Sequence, residues 1–401
     1  MRTIVVSGLC LAFFASLPAA AQVCTPHWDP TQAAGNPGMP AEVRSLLDFD
    51  DGTGRALYAG GFFTTAGGVP ASRIAKWDGV GWSEVGSGMD GAVLAMAVFD
   101  DGGGPALYAA GNFLTAGGLS ANRIAKWDGR TWSALGQGLD GEARALAAFD
   151  DGRGLVLYVG GSFTGAGGAS ASSVATWDGT SWSPLAGGGI NGQVLAMKVF
   201  QDHGHRSLYI GGSFMFAGRI QASNIVEWNG HGWRDVGGGL FGYGPDLSEV
   251  RSLEVSDDGM GPALFAGGIL ATAGRKGVPA VTIARWDGQS WSGVGGGLFF
   301  GGIPATVRAM TVFNDGTGEA LFVGGQFTTA GALPVGRIAR WDGARWSPLE
   351  DGVSGGPAGI PSVDALTVFD DGGGPSLFVG GSFTYAGSVP ANDVAVWRGC
   401  P

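Results

Sequence analysis

The chain of 401 residues has a formal net charge of −11, and 78 of its residues are glycine. The negative charge argues against nucleic acid or an anionic membrane as the main partner, because phosphate binding needs a basic surface. Apolar residues make up 45% of the chain and charged residues only 14%, which indicates a folded core. The many glycines indicate tight turns rather than long helices, so we expect an all-β protein of many short strands.

The first 21 residues have the pattern of a secretory signal peptide. Arg2 precedes an apolar run from Ile4 to Leu17, and small residues end the segment before Gln22. No later apolar run reaches the roughly 20 residues that a membrane span needs. We therefore expect residues 1–21 to be removed and a mature chain that is secreted or periplasmic, without a membrane span.

Seven copies of one repeat fill residues 22–401. Its first Trp recurs at positions 77, 127, 177, 228, 286, 341 and 397, with spacings of 50 to 58 residues. We place the unit starts near residues 43, 93, 143, 194, 250, 307 and 363. Each unit has four apolar segments between turn signals, as in VLAMAVF, ALYAAGNF, RIAKW and TWSALGQ of unit two. The first segment is apolar almost throughout, which predicts a strand covered on both faces.

This pattern predicts a single seven-bladed β-propeller built from four-stranded antiparallel blades. In units one to six a second Trp follows the first by five residues, but only four residues follow Trp397. Trp28 supplies the missing partner, so we predict that residues 24–30 complete the last blade and close the ring. Cys10 leaves with the signal peptide, and a disulfide between Cys24 and Cys400 would replace the turn that joins the paired Trp residues elsewhere.

The repeat resembles the kelch repeat of kelch and galactose-oxidase-like propellers, with LYxGG in the second strand, Trp-Asp ending the third and Trp-Ser opening the fourth. The longer pattern GGxFTxAGG followed by IAxWDGxxW is similar to repeats of secreted bacterial proteins and of Rax2-type cell-surface proteins. The resemblance covers all seven units. It implies the fold and leaves the function open, because one propeller scaffold serves many functions.

An acidic turn, FDDGxG, separates the first and second segments of most units. Calcium is one interpretation, but adjacent Asp residues point to opposite sides of a strand end, and a calcium loop staggers its ligands. Hairpin chemistry is the other interpretation, since Asp and Gly favour tight turns and fix the strand register. The turns are Asp50-Asp51, Asp100-Asp101, Asp150-Asp151, Asp257-Asp258, Asp370-Asp371 and the variant Asn314-Asp315.

Unit four replaces its first turn with QDHGH and its second with WNGHGW. In a four-stranded meander both turns emerge on the same face, so the side chains of these turns gather at one blade edge. Imidazoles and a carboxylate could hold zinc or copper. Exposed turn histidines without a metal are the alternative, and apart from this possible metal ion we expect no cofactor. The residues concerned are Asp202, His203, His205 and His231.

Long insertions lie between the fourth strand of one unit and the first strand of the next, at residues 240–249, 298–306 and 350–362. Insertions on one face of a repeat protein often mark its binding face. Phe241, Tyr243, Phe299 and Phe300 would add aromatic surface there for stacking on sugars or anchoring a peptide. The alternative is that these aromatic side chains fold back over the blades.

Arginines recur near the start of the first strand at the same face: Arg44, Arg144, Arg251 and Arg308. Leu94, Leu195 and Asp364 hold the equivalent places. The resemblance to kelch propellers implies that such arginines bind acidic peptides. Glu42, Glu142 and Glu249 stand two residues before three of them, and internal pairing of the charges is the competing interpretation.

We therefore predict a secreted, monomeric binding or scaffolding propeller whose protein or polysaccharide ligand binds at the channel-mouth face. No catalytic motif is evident, and we expect no nucleic-acid partner. One alternative is an extracellular glycosidase or lyase on the same scaffold, which would use an acid and a base from Glu42, Glu142, Glu249 and Asp364. The other alternative is a purely structural surface protein.

Overall fold

The computed structural model describes residues 24–30, 38–202, 204–244, 247–356 and 360–400, and the predicted signal peptide lies outside these ranges. The described residues contain no α-helix, and so no helix that could cross a membrane. They form one four-stranded antiparallel sheet for each of the seven repeat units, a further four-stranded sheet of short strands that includes Leu298–Phe300, and two- and three-stranded sheets. The prediction of an all-β chain with four-stranded antiparallel units is thus confirmed, and the architecture is consistent with a β-propeller.

Each sheet takes its strands in chain order, apart from the last. The first strands are Val43–Asp50, Val93–Asp100, Glu142–Asp150, Gln193–Asp202, Glu249–Asp257, Thr306–Asn314 and Ser362–Asp370. The second strands are Arg55–Gly61, Pro105–Gly111, Leu155–Ser162, His205–Ser213, Pro262–Ile269, Glu319–Gln326 and Pro375–Ser382. First strands of consecutive sheets contact each other, and the first strand of the last sheet contacts that of the first sheet.

The third and fourth strands are shorter. The third strands are Ile74–Trp77, Ile124–Trp127, Val174–Trp177, Ile225–Trp228, Ile283–Trp286, Ile338–Trp341 and Val394–Arg398. The fourth strands are Trp82–Glu84, Trp132–Ala134, Trp182–Pro184, Trp233–Asp235, Trp291–Gly293, Trp346–Pro348 and, in the last sheet, His27–Trp28. The fourth strands are therefore edges of their sheets.

A small hairpin links the second strand to the third in every sheet. The hairpins pair Thr65–Ala66 with Val69–Pro70, Thr115–Ala116 with Leu119–Ser120, Gly165–Ala166 with Ala169–Ser170, Phe216–Ala217 with Ile220–Gln221, Thr272–Ala273 with Val278–Pro279, Thr329–Ala330 with Leu333–Pro334, and Tyr385–Ala386 with Val389–Pro390. Leu240–Phe241, Leu298–Phe300 and Val353–Ser354 add strands to the last three hairpins, and Ile303–Pro304 pairs with Leu298–Phe300.

The second strand is more deeply buried than the first strand in each of the seven unit sheets. In the first sheet every residue from Ala56 to Gly61 is buried, whereas Val43–Asp50 alternates buried with partly exposed residues. The prediction that the first strand is covered on both faces is therefore wrong. Part of each first strand borders the central space around which these strands lie, so apolar composition there does not mean complete burial.

Glycine at the end of the second strand allows adjacent sheets to approach closely. A Cβ on Gly60 would lie 2.6 Å from Val93 Cγ1 of the next sheet. Unit two has Ala110 at the equivalent position, and the residue that corresponds to Val93 in the following sheet is Ala143. The smaller Ala143 side chain makes room for the extra methyl group of Ala110, so the contact keeps its packing.

The two ends of the described chain meet in the last sheet. His27 and Trp28 pair with Arg398 and Trp397, and the two indole rings are 5.2 Å apart between centroids. The other six Trp pairs have centroid separations from 4.8 to 5.5 Å. A disulfide joins Cys24 and Cys400, whose Cα atoms are 5.7 Å apart. The predicted disulfide is thus confirmed.

Candidate functional site

A small central cavity lies where the seven first strands come together. It has a volume of about 90 Å³ and is lined by one equivalent residue from each sheet: Arg44, Leu94, Arg144, Leu195, Arg251, Arg308 and Asp364. In every sheet the register to the second strand shifts across this residue, as between Val43 and Ser45. A β-bulge re-aims a side chain, so the repeated bulge explains why all seven side chains line one cavity.

Three arginines at the cavity are paired with the glutamate two residues earlier. Arg44 is 3.0 Å from Glu42, and Arg144 donates to Glu142 at 2.9 Å. Arg251 likewise donates to Glu249. Each pair is partly exposed, so its Coulomb attraction is reduced by water and its contribution to stability is small.

Arg308 has no glutamate two residues before it and pairs with Asp364 of the next sheet. Its Nη1 is 2.6 Å from Asp364 Oδ1, and Ser362 Oγ donates to the other carboxylate oxygen at 2.6 Å. The Asp364 side chain is only 1% exposed. Arg44 also lies 3.8 Å from Asp364, and Glu42 lies 3.8 Å from Arg308. The charges of the first, sixth and seventh sheets therefore form one network.

The formal charges at the cavity cancel, but two arginine N–H donors there have no hydrogen-bond partner. Four arginines face the four carboxylates of Glu42, Glu142, Glu249 and Asp364, so their formal charges sum to zero. Yet the buried Nε atoms of Arg44 and Arg308 have no hydrogen-bond partner. A buried donor without an acceptor is costly. An acceptor such as a carboxylate oxygen, placed in the cavity, would relieve that cost.

A carboxyl that the sequence analysis did not single out lies beside this network. Asp393 is 4% exposed and accepts a hydrogen bond of 2.7 Å from the Phe383 amide. Burial, together with the negative charges of Glu42 and Asp364, raises the pKa of Asp393 to about 7 despite that hydrogen bond. Burial and the charge of Asp364 also raise the pKa of Glu42, against the attraction of Arg44.

The only sequence signal for Asp393 is its place in the repeat. The residue before the third strand has a positive φ angle in every sheet, and the seven residues are Arg73, Arg123, Ser173, Asn224, Thr282, Arg337 and Asp393. The last is the only acidic one. Asp364 belongs to the same sheet as Asp393, but the proximity of Asp393 to Glu42, far away in the sequence, depends on the packing of the last sheet against the first.

The four predicted aromatic residues fall into two groups. Phe241 is 37% exposed and Tyr243 is 48% exposed. Phe299 and Phe300 are partly buried, Phe300 packs on the core of the sixth sheet, and the Arg337 guanidinium lies 5.9 Å from its ring centroid. Phe299 and Phe300 therefore fit the folded-back interpretation, because their strand pairs with Ile303–Pro304 as well as with Thr329–Ala330. Phe241 and Tyr243 remain available to a ligand.

The unit-four residues proposed for a metal do not form a ligand cluster in the described structure. Asp202 accepts a hydrogen bond of 3.0 Å from Tyr209, and exposed His205 stands opposite it in the strand register. His231 is exposed in a turn, where its backbone amide and that of Gly232 donate hydrogen bonds to Asn229 Oδ1. His203 lies outside the described residues. Among those described, no three His, Cys, Asp or Glu side chains are grouped to hold a metal ion.

The repeated acidic turns have the geometry of the hairpin interpretation. Asp50 accepts hydrogen bonds from the amides of Gly52 and Gly54, while Asp51 accepts from Tyr58 at 2.6 Å and Lys76 at 2.8 Å. Burial would raise the pKa of Asp51, but these hydrogen bonds hold it well below its usual range. The carboxylates thus bind donors of the protein itself and support the turn.

Comparisons with known proteins identify the fold but no family. No protein-family model and no curated protein matches the sequence. The structure is similar to the extracellular domain of the putative hybrid two component system BT4673 from B. thetaiotaomicron, with a TM-score of 0.54 and 9% identity over 94% of this chain. A second structure, described as the extracellular domain of the putative one component system BT4673, gives a TM-score of 0.52 and 9% identity over 92% of this chain. The chain spans about two fifths of the length of either neighbour, 40% and 39%.

Proposed function

We propose that the seven sheets are the blades of one closed, kelch-like propeller that is exported from the cytoplasm and acts as a binding module. Contacts between the last and first sheets, and the pairing of His27–Trp28 with the last sheet, support ring closure. The disulfide supports an extracytoplasmic location, because such bonds persist in oxidising compartments. The similarity to two extracellular domains agrees with that location.

The ligand of this module is an acidic group that enters the central cavity. The observation that carries this proposal is the convergence of four arginines on a cavity of about 90 Å³, two of them with buried Nε donors that lack an acceptor. A liquid water occupies about 30 Å³, so the cavity has room for a carboxylate but not for a whole sugar ring. We infer that the partner presents a Glu or Asp side chain, which fits a protein ligand.

The repeat itself supplies a matched way to remove the arginines without leaving carboxylates unpaired. Unit four has Gln193 and Leu195 where unit three has Glu142 and Arg144, and unit five has Glu249 and Arg251. A variant with Glu142→Gln, Arg144→Leu, Glu249→Gln and Arg251→Leu copies unit four twice and keeps the net charge unchanged. It tests the arginines as binding groups rather than as parts of the fold.

The experiment measures binding of the mature protein to an array of heptapeptides that carry no, one or two Glu residues. We expect the wild type to be retained only by peptides with Glu, and the variant to lose affinity by about tenfold or more for each lost guanidinium contact. Equal retention of wild type and variant would exclude Arg144 and Arg251 as binding groups, and retention of the wild type by peptides without Glu would overturn the acidic-ligand site. No retention of either would favour a purely structural surface protein.

The enzyme alternative has one observation in its favour, namely the raised pKa values of Glu42 and Asp393 beside the cavity. The ion pairs of Glu142, Glu249 and Asp364 with arginine count against it, because a paired carboxylate is a poor proton donor. Release of reducing ends from soluble polysaccharides by the wild type, and its loss in Glu42→Gln, would establish the enzyme. Absence of that release leaves the binding module.

A further inference from the structure

Outside the central cavity, unit three has one residue more after its fourth strand than the equivalent segments of units one, two, four, five and six. Three residues separate Val85 from Met89, and the same spacing recurs after the fourth strands of units two, four, five and six. In unit three, four residues separate Leu185 from Ile190, because Ala186 is added before the glycines. Residues 186–189 are called the unit-three link below.

The longer link changes the surroundings of Trp233 in the next sheet. In four other sheets the indole Nε1 donates to the carbonyl just after the preceding fourth strand, as Trp132 does to Val85 at 2.9 Å. Trp233 instead donates to Gly188 at 2.9 Å, three residues further along. Five equivalent Trp residues are at most 9% exposed, whereas Trp233 and Trp182 are partly exposed.

A cleft opens beside Trp233 as a result. Its volume is about 710 Å³, and its walls include the unit-three link, Ser172, Asn191 and Arg219. This volume is within the range of pockets that bind small organic ligands. Trp233 contributes the aromatic ring of the cleft, and Arg219 contributes its one charged side chain.

A second cleft lies on the other side of Asn191. Its volume is about 530 Å³, and its lining includes Phe241, Met215, Gln221 and Ser248. Asn191 lines both clefts, and its Oδ1 accepts hydrogen bonds from the Met215 and Phe216 amides at 3.0 and 2.7 Å. These bonds fix the Asn191 side chain, while its exposed Nδ2 keeps its two N–H groups for a ligand.

We propose that the two clefts form one groove that binds a neutral polysaccharide chain, with Trp233 and Phe241 as stacking platforms for successive sugars. Aromatic rings stack on the apolar faces of sugars, and uncharged hydroxyl and amide side chains bind their hydroxyl groups. The lining supplies both kinds of group. Among the described residues the lining has no carboxylate and one cation, Arg219, so it matches an uncharged polymer better than a charged one.

The net charge of −11 also favours a neutral polysaccharide over an acidic one, because a negatively charged protein repels a polyanion at long range. The groove is separate from the central cavity, whose lining shares no residue with either cleft. The proposal therefore does not depend on the acidic ligand proposed for the cavity. Both sites can be tested on the same protein with different variants.

The test is native affinity gel electrophoresis of the mature protein in gels that contain hydroxyethylcellulose, laminarin, galactomannan or polygalacturonate. We expect at least one of the three neutral polysaccharides to retard the wild type. Deleting Ala186 restores the spacing of the sibling units and should close the cleft, and Phe241→Ala removes the second platform. Each change should weaken retardation by about tenfold or more.

Two controls separate the groove from other effects. Tyr385→Ala removes a side chain that is 47% exposed on the hairpin of the last sheet, so it matches Phe241 in exposure and should leave retardation unchanged. Circular dichroism and the melting temperature establish that the deletion variant is folded, and Phe241→Ala alone serves if it is not. Retardation by polygalacturonate alone, no retardation by any neutral polysaccharide, or equal retardation of wild type and Phe241→Ala overturns the proposal.

Discussion

The turns between first and second strands differ from the central cavity in how their charges are paired. In five of the seven turns, the second carboxylate meets a cation from the third strand of its own sheet, as Asp51 does with Lys76 and Asp258 with Arg285, each at 2.8 Å. At the cavity, three arginines pair with a neighbour on the same strand and the fourth pairs with Asp364 of another sheet. Most turns therefore repeat one pairing within a sheet, with Asp151 paired instead to Arg153 of its own turn, whereas the pairing at the cavity varies and crosses between sheets.

This difference separates residues that the fold requires from residues that it tolerates. The Asp258 and Arg285 side chains are 3% and 8% exposed, so neither charge can be lost without leaving the other buried and unpaired. Arg144 is 33% exposed at the cavity, and two sibling sheets have Leu at its position. We therefore expect the turns to govern stability and the cavity to govern binding.

The disulfide takes the place of the turn that joins the paired Trp residues in the other six sheets, and its loss should have the largest effect. Cys24→Ser with Cys400→Ser opens a covalent loop between residues separated by 376 positions. In the chain-entropy account this costs on the order of 5 kcal/mol of unfolding free energy. Urea denaturation of the double variant measures the cost. A loss below about 1 kcal/mol would mean that strand pairing alone holds the two ends together.

Asp258→Asn should have the next largest effect, because it leaves the buried Arg285 guanidinium without its anion. We expect a loss of about 3 kcal/mol in the free energy of unfolding. Arg345→Ala is the matched control, since this exposed side chain is 3.8 Å from Asp342 and should contribute less than about 0.5 kcal/mol. Equal losses in the two variants would contradict the distinction between buried and exposed pairs.

Gly60→Ala should cost about 2 kcal/mol through overpacking, because the new methyl group meets Val93 of the next sheet. Adding Val93→Ala copies the natural pair Ala110 and Ala143, so the double variant should recover at least about 1 kcal/mol of the loss. A double-mutant cycle of urea midpoints measures this coupling. Additive losses would show that the two positions do not share one contact.

Asp393 makes stability depend on pH beside the cavity. Its pKa is raised from 3.8 to about 7 in the folded chain, so the folded state binds the proton more tightly than the unfolded state. The stabilisation is complete below pH 3.8 and is lost as the pH rises through about 7, by up to about 4 kcal/mol. Melting curves between pH 4 and pH 9 should show this fall in the wild type and a smaller fall in Asp393→Asn. Parallel curves would assign the dependence to another group, such as Glu42.

Glu142→Gln with Arg144→Leu should have the smallest effect on stability. The change removes a partly exposed ion pair and installs the residues that unit four carries naturally, so we expect a change below about 1 kcal/mol. Urea denaturation checks it. A loss above about 2 kcal/mol would place the cavity arginines among the residues that hold the sheets together.

Some residues of the candidate site could be predicted from the sequence, but some of their partners could not. The recurrence of Arg44, Arg144, Arg251 and Arg308 near the start of the first strand was visible in the sequence because the repeat aligns them. The partner of Arg308 was not, since Asp364 lies 56 residues away and no glutamate precedes Arg308 by two positions. The exposures of Phe300 and Phe241 also differ: both lie in strands added to a hairpin, but only Leu298–Phe300 also pairs with Ile303–Pro304, and Phe300 packs on the core.

The sequence by itself determined the all-β class, the four strands of each unit, the Trp pairs and the terminal disulfide. These follow from local alternation, turn residues and a count of Trp and Cys, all of which the repeat presents several times. Only the tertiary structure decided that a bulge directs seven side chains into one cavity, that Asp393 lies beside Glu42, and that Ala186 opens a cleft at Trp233. Those features depend on packing between sheets, where one added residue or one missing methyl group changes which distant side chains meet.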